Sequence, residues 1–214
     1  MIRSKEDLKR YIKCDIVARY GTERISIKER FYAMLVPTPW KYQFILRRAE
    51  YFNNCGSKLS RVVLGNAYRI KLNRYGAKCG YEIPLNSFGP GLVLVHKGTV
   101  VVNGNSHFGS NARIHVCVNI GVFSRLDEHW EENMGAPQFG DNVYIGPGAK
   151  IWGGVLIGDN VAIGANSIVT KSIESHKTVI GANLVLNDKG SIDMMYYGDA
   201  QCMPHDSYQY KTHV

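Results

Sequence analysis

The stretch FGDNVYIGPGAKIWGGVLIGDNVAIGANSIVTKSI, residues 139–173, repeats itself with a period of six residues. Its apolar positions are Phe139, Ile145, Ile151, Ile157, Ile163 and Val169, and a glycine follows four of them. A period of six fits neither the 3.6-residue turn of an α-helix nor the simple alternation of a strand. The pattern therefore indicates short strands that are separated by turns and repeated along a solenoid.

Stacked coils explain why the apolar residues recur. Three hexads make one flat coil, and each apolar residue then lies on its counterpart in the next coil, about 4.8 Å away. One coil cannot bury its own apolar face, whereas a stack of coils can. The pattern resembles the hexapeptide repeat, and this resemblance implies a mainly β protein with a left-handed parallel β-helix.

The same register extends upstream, with a slip of two residues within 100–102. Its apolar positions are Phe88, Leu94, Val102, Phe108, Ile114 and Ile120. The register is lost over 122–138, so this charged segment is predicted to protrude as a loop between two coils. We therefore predict a β-helix domain over 81–190 with this loop, followed by a C-terminal tail, 191–214, that follows no repeat.

Residues 1–80 differ from the rest of the 214-residue chain in charge, with 18 Lys and Arg against 6 Asp and Glu, in a chain of net charge +8. Helices are predicted from the Ser4 cap to Gly21, from Pro39 onward, and over 58–76. Basic residues mixed with aromatic ones occur in surfaces that bind nucleic acids or anionic membranes. We interpret them here as a solvated helical face, one able to contact a neighbouring subunit, and predict no nucleic-acid partner.

Several classes of protein are disfavoured by composition. No apolar run approaches the 18 residues of a membrane-spanning helix, and the first residues lack the apolar core of a secretory signal. The five cysteines show no paired spacing, which favours free thiols in the cytoplasm and implies no zinc site.

Three further segments carry a second resemblance: EIP at 82–84, FGPGL at 88–92 and HKGTVVVN at 96–103. They are similar to serine acetyltransferases and, more closely, to polysaccharide O-acetyltransferase-like members of the same group. The resemblance implies an acyltransferase that moves an acetyl group from acetyl-CoA, its co-substrate, to a hydroxyl without a metal. It also implies a homotrimer, because acetyl-CoA lies in the groove between neighbouring β-helices. A dimer of trimers through the N-terminal helices is a further option.

The resemblance assigns His96 the role of general base. A hydroxyl is a weak nucleophile at neutral pH, and imidazole titrates near the working pH. The family places a carboxylate behind this histidine, a role that Glu82 is expected to fill, with an exposed cap residue as the alternative. His115 is expected on the adjacent coil, either supporting catalysis or as a surface histidine.

The match to the motifs also implies acetyl-CoA contacts. Gly146, Pro147 and Ala165 are expected at turns that the pantetheine arm approaches closely, and Lys171 is expected to contact the phosphates. The alternative is that the coil itself requires small residues at these turns.

The acceptor is predicted from what the chain lacks. Serine acetyltransferases carry Asp-Arg-His-Pro where residues 134–137 read MGAP, and an acidic residue where Val95 stands. A substrate with a carboxylate and an ammonium needs charged partners. We therefore predict a neutral sugar or a surface-polysaccharide precursor as acceptor. A serine O-acetyltransferase of cysteine biosynthesis and a non-catalytic scaffold or binding protein remain open.

The protruding loop is the predicted acceptor contact outside the coils. It carries Trp130, which is able to stack on a sugar ring, and His129 among acidic residues. The alternative is a loop that contacts only a neighbouring subunit.

Overall fold

The computed structural model describes residues 1–122 and 135–186. Five helices precede the first strand: α1 (Lys5–Tyr20), α2 (Ile27–Leu35), α3 (Pro39–Cys55), α4 (Lys58–Ser60) and α5 (Asn66–Cys79), with a π-helical turn (Arg61–Gly65) between the last two. The strands are β1 (Tyr81–Glu82), β2 (Val93–Leu94), β3 (Val100–Val102), β4 (His107–Phe108), β5 (Arg113–Ile114), β6 (Val118–Gly121), β7 (Gln138–Phe139), β8 (Tyr144–Ile145), β9 (Lys150–Trp152), β10 (Leu156–Ile157), β11 (Ala162–Ile163), β12 (Ile168–Val169), β13 (Thr178–Ile180) and β14 (Leu184–Leu186). The predicted tail, 191–214, and most of the predicted loop lie outside the described residues.

The first and third helices begin where the sequence predicts. The Ser4 hydroxyl accepts a hydrogen bond from the Asp7 amide at the start of α1, and Gly21 ends it in the left-handed conformation with φ 66°. Pro39 occupies the first turn of α3, where its missing amide proton costs nothing.

The other two helical segments differ from the prediction. Helix α2 is not predicted, although Ser26 caps it by accepting a hydrogen bond from the Glu29 amide. The segment predicted as one helix over 58–76 is helical throughout, but a π-helical turn lies within it and α5 continues to Cys79. It ends there because Gly80 takes a φ of 83° and its amide donates to the Gly76 carbonyl.

Three sheets form the sides of a parallel β-helix. Their strand orders are β1-β3-β6-β9-β12, β10-β7-β4 and β14-β13-β11-β8-β5-β2. Successive hexads enter different sheets, so that Ile145 pairs with Ile163 in one sheet and Ile151 with Val169 in another. The prediction that three hexads make one coil is confirmed. The last pair is an exception, since β14 runs antiparallel to β13.

Side chains of one kind stack through the coils. The rings of Phe88 and Phe108 lie 4.3 Å apart between centroids, and those of Phe108 and Phe139 lie 3.9 Å apart. His107 begins β4 opposite Gln138. The alternating strand pattern places its side chain outward, while Phe108 points into the core.

Asparagines form a second column at one corner. Asn111, Asn142 and Asn160 all have a positive φ, which asparagine tolerates better than most residues. The Asn111 amide donates to the Asn142 side chain at 3.0 Å, and Asn142 donates in the same way to Asn160. The chain therefore turns at the same place in each coil, with the polar groups of the turn satisfied internally.

A buried charge cluster joins the helices to the first coil. The Arg47 guanidinium of α3 lies 2.8 Å from Asp15 of α1 and 3.2 Å from Glu50, and all three side chains are buried. Arg47 also donates to the Phe88 carbonyl at 2.9 Å. Asp15 accepts hydrogen bonds from the amides of Gly91 and Leu92. The helices are thus fixed against the turn that leads to β2.

Candidate active site

The predicted catalytic and acetyl-CoA positions of the coils cluster along one edge of a sheet. His96, His115, Gly146, Pro147 and Ala165 each lie one or two residues after β2, β5, β8 or β11. These four strands are successive neighbours in the six-stranded sheet. Because the strands are parallel, residues that follow their carboxyl ends lie along the same edge.

Two histidines and a tyrosine meet at this edge. The ring centroids of His96 and His115 lie 5.9 Å apart, and those of His115 and Tyr144 lie 5.3 Å apart. Burial lowers the pKa of His115 below its ordinary value of 6.5, and the nearby charges of His96 and Arg113 lower it further. His115 is therefore neutral at pH 7 and is able to accept or donate a hydrogen bond without adding charge.

Sequence reasoning missed Tyr144, whose ring packs edge-on against His115. Burial raises the pKa of its hydroxyl, which stays protonated at neutral pH. Its position was readable in principle, because it directly precedes the core residue Ile145, and the register pairs it with Arg113 of the coil that bears His115.

The backbone around His96 is held from two sides. The Arg19 guanidinium of α1 donates to the Leu94 carbonyl at 2.7 Å and to the Val95 carbonyl at 3.3 Å. The Tyr81 hydroxyl donates to the carbonyl of His96 itself at 2.7 Å. The imidazole is exposed on this fixed backbone, which is the arrangement that a base needs to reach a substrate.

His96 lines an open cleft of about 300 Å³ between the coils and the N-terminal helices. The coil side consists of Val95, His96 and Lys97, and the helical side of Arg19, Tyr20, Glu29, Tyr32, Pro37, Thr38, Pro39 and Trp40. Glu29 is the one carboxylate among these lining residues, and it is half-buried. The cleft therefore offers an acid, two basic side chains and several aromatic rings to a small molecule beside His96.

Among the described residues, 1–122 and 135–186, no hydrogen bond or ion pair joins Glu82 to His96. Glu82 ends β1, pairs with Val101 in the neighbouring strand, and is exposed. The register therefore places Glu82 beside the hexad that begins near Val100. Its role as the carboxylate behind His96 stays a prediction.

The acetyl-CoA positions divide between two sheets. A Cβ placed on Gly146 would lie 2.8 Å from the Ala165 amide, so the stacked coils themselves require glycine here. Lys171 follows β12 of the five-stranded sheet and is exposed, away from the edge that holds Gly146, Pro147 and Ala165.

Trp130 and His129 lie outside the described residues. Within the described part of the chain, no group of three or more His, Cys, Asp or Glu side chains is arranged to hold a metal ion. No helix in that part has the length and the apolar character needed to cross a membrane.

Solved structures of similar fold agree with this architecture. Serine acetyltransferase from Brucella abortus strain S19 matches with a TM-score of 0.64 and 24% identity, covering 87% of this chain and 72% of that one. Serine acetyltransferase from Neisseria gonorrhoeae in complex with serine matches with a TM-score of 0.60 and 23% identity, covering 83% and 68%. These likenesses concern the fold, and together with the hexapeptide repeats they imply the left-handed hand of the β-helix.

Sequence comparison identifies the relatives. The family described as bacterial transferase hexapeptide (six repeats) matches residues 136–171. A serine acetyltransferase of Staphylococcus aureus is 33% identical over 138 residues, and this alignment covers 63% of the chain and 62% of the relative's length. A serine acetyltransferase of Staphylococcus epidermidis is 30% identical over 180 residues, which cover 84% of this chain and 75% of the relative. The chain belongs to the serine acetyltransferase family of hexapeptide-repeat proteins.

Proposed function

We propose that this chain transfers the acetyl group of acetyl-CoA to the hydroxyl of free serine, with His96 as general base. The observation that carries the proposal is the exposed His96 imidazole on a fixed backbone, beside a cleft that contains a half-buried carboxylate. The relatives named serine acetyltransferase support the same acceptor.

The reaction balances with one base. His96 removes the hydroxyl proton while the serine oxygen attacks the thioester carbonyl, and the tetrahedral intermediate then expels the coenzyme A thiolate. The imidazolium returns its proton to that thiolate, so that His96 ends the cycle neutral. His115, being neutral, is able to hold the adjacent imidazole in one orientation without opposing the positive charge that develops on it.

The expectation of a neutral sugar acceptor is not supported. It rested on the missing charges at Val95 and Ala136, but Ala136 is not among the residues that line the cleft beside His96. Charged groups come instead from elsewhere: Glu29 lies on α2, and Lys97 follows His96 directly. In this proposal Glu29 pairs with the serine ammonium and Lys97 with its carboxylate.

A sugar hydroxyl remains the second candidate acceptor because of the aromatic rings. Tyr20, Tyr32 and Trp40 all line the cleft, and flat rings of this kind stack on sugar faces. A neutral sugar does not need a carboxylate partner, and this difference separates the two candidates.

The assembly and setting belong to the same proposal. We propose that the chain consists of a helical region over 1–80, a β-helix over 81–190 and a tail over 191–214. Three such chains form a homotrimer, and the grooves between neighbouring β-helices hold acetyl-CoA. Within that groove Gly146, Pro147 and Ala165 would contact the pantetheine arm. The proposed compartment is the cytoplasm.

Replacing Glu29 by glutamine tests the acceptor. The change keeps the shape of the side chain and removes its charge, so we expect the KM for serine to rise about 10–100-fold, since a hydrogen bond to a charged group is worth about 1.5–3 kcal/mol. The KM for acetyl-CoA should change little. Steady-state kinetics with each substrate varied in turn measure both values.

Glu23→Gln is the matched control, because Glu23 is an exposed acid that pairs with Lys13 rather than lining the cleft. Its serine KM should match that of the unmodified chain. An unchanged serine KM in Glu29→Gln would remove Glu29 from acceptor binding and favour a neutral acceptor.

A further inference from the structure

The helical segment from α4 to α5 carries an unbalanced positive charge. Residues 51–81 contain no Asp or Glu. The same segment contains six basic residues: Lys58, Arg61, Arg69, Lys71, Arg74 and Lys78. Within the described residues none of the six forms an ion pair. We call the exposed surface of residues 58–78 the α4–α5 face.

This face is also apolar. Leu59 is 75% exposed, Val62 is 63% exposed and Ile70 is 54% exposed. Val63 and Leu64 are exposed as well, so that three successive apolar residues of the π-helical turn meet solvent. Exposed apolar side chains that lie together mark a surface with a partner, because leaving them in water costs free energy.

The buried side of the segment is narrow. Only Gly65, Leu72, Gly76 and Cys79 are buried between residues 58 and 79. Beside this stripe, an open groove of about 310 Å³ is lined by Ala67, Ile70, Lys71, Arg74, Tyr75 and Lys78. Apolar and basic side chains therefore share one exposed surface, and the packing of the helix onto α3 does not use them.

We propose that the α4–α5 face binds the surface of an anionic phospholipid membrane. A helix that lies in the membrane interface buries its apolar side chains at the boundary of the acyl chains and directs Lys and Arg to the headgroups. Each basic residue near an anionic leaflet adds to the attraction. The face combines both properties without an acidic residue to oppose them.

Charge disfavours a second copy of the chain as the occupant. Two such faces would bring together basic side chains, such as Arg74 and Lys78, with no carboxylate from 51–81 to neutralise them. Nucleic acid satisfies the charges but leaves Val62 and Val63 in water. An anionic bilayer is the occupant that satisfies both.

Sedimentation with vesicles tests the proposal on the full chain. Vesicles of phosphatidylglycerol and phosphatidylcholine should carry the protein down at about 0.1 M salt, and vesicles of phosphatidylcholine alone should not. The variant Lys71→Gln/Arg74→Gln/Lys78→Gln should lose about a hundredfold in partitioning to the anionic vesicles. Lys5→Gln/Lys9→Gln/Lys28→Gln removes the same charge from α1 and α2 and should lose far less.

A second variant tests the apolar contribution. Val62→Asn/Val63→Asn keeps every charge. We expect about a tenfold weaker partitioning to the vesicles, because binding then removes less apolar surface from water. Leu156→Asn/Leu184→Asn, which alters exposed residues of the coils, should bind as the unmodified chain does. Circular dichroism on each variant checks that the fold is retained.

Three outcomes would overturn the proposal. One is no sedimentation of the unmodified chain with anionic vesicles. Another is unchanged binding by Val62→Asn/Val63→Asn, which would indicate a purely electrostatic surface suited to nucleic acid or an acidic protein. The third is a smaller assembly mass of either variant without vesicles, which would make the face an interface between copies of this chain.

Discussion

Replacing His96 by alanine is expected to lower the turnover number about 10²–10⁴-fold, the range that general-base catalysis contributes. The imidazole is exposed, while its backbone is held by Tyr81 and, through the preceding residues, by Arg19. Removing the ring should therefore leave the cleft and the binding of acetyl-CoA intact. Turnover is measured by release of the coenzyme A thiol, and acetyl-CoA binding by calorimetry.

His107→Ala is the matched control, because His107 is an exposed histidine on a different sheet. It should retain full turnover. His115→Ala should lower turnover less than His96→Ala does, since His115 is proposed to orient the base rather than to act as one. Near-normal turnover in His96→Ala together with a large loss in His115→Ala would move the base to His115.

Replacing Arg47 by methionine is expected to lower the free energy of unfolding by about 3–5 kcal/mol, the cost of breaking a buried ion pair by removing one partner. The substitution leaves Asp15 and Glu50 buried without their cation. Chemical denaturation measures the difference. Arg48→Met is the control, because Arg48 is only half-buried and bonds the Tyr68 hydroxyl, and it should cost less than about 1 kcal/mol.

The deficit of Arg47→Met should depend on pH. Burial raises the pKa of both Asp15 and Glu50, and the charge of Arg47 opposes this rise. Without Arg47 the pKa of each carboxyl in the folded state lies further above its unfolded value, so the folded state is favoured at low pH and loses stability as the pH rises through that pKa. The deficit should therefore shrink as the pH falls below neutral. A loss no larger than that of Arg48→Met at every pH would contradict the account.

The coils were predictable because their cause is local. A core residue at each sixth position, such as Ile145 or Ile163, reflects a geometry that every coil repeats, and the sequence displays it directly. The grouping of His96 and His115 at one edge follows from the same register. The π-helical turn at 61–65 has no such signature, and nothing in the structure explains it.

The cleft was not predictable because its walls come from distant parts of the chain. Glu29 lines the same cleft as His96 only because the helices pack on the first coil, and Arg47 and Arg19 fix that packing by contacts far apart in sequence. The sugar acceptor expected from residues 134–137 is not supported, and residues 135–137 do not line the cleft beside His96.

The most direct measurement is release of the coenzyme A thiol by the purified chain, with acetyl-CoA and one acceptor at a time: serine, homoserine, simple sugars or nucleotide sugars. The account predicts saturable release with serine, O-acetylserine as the product, and little release with the sugars. Release with a sugar but not with serine would contradict it, and so would the absence of release with every acceptor tested.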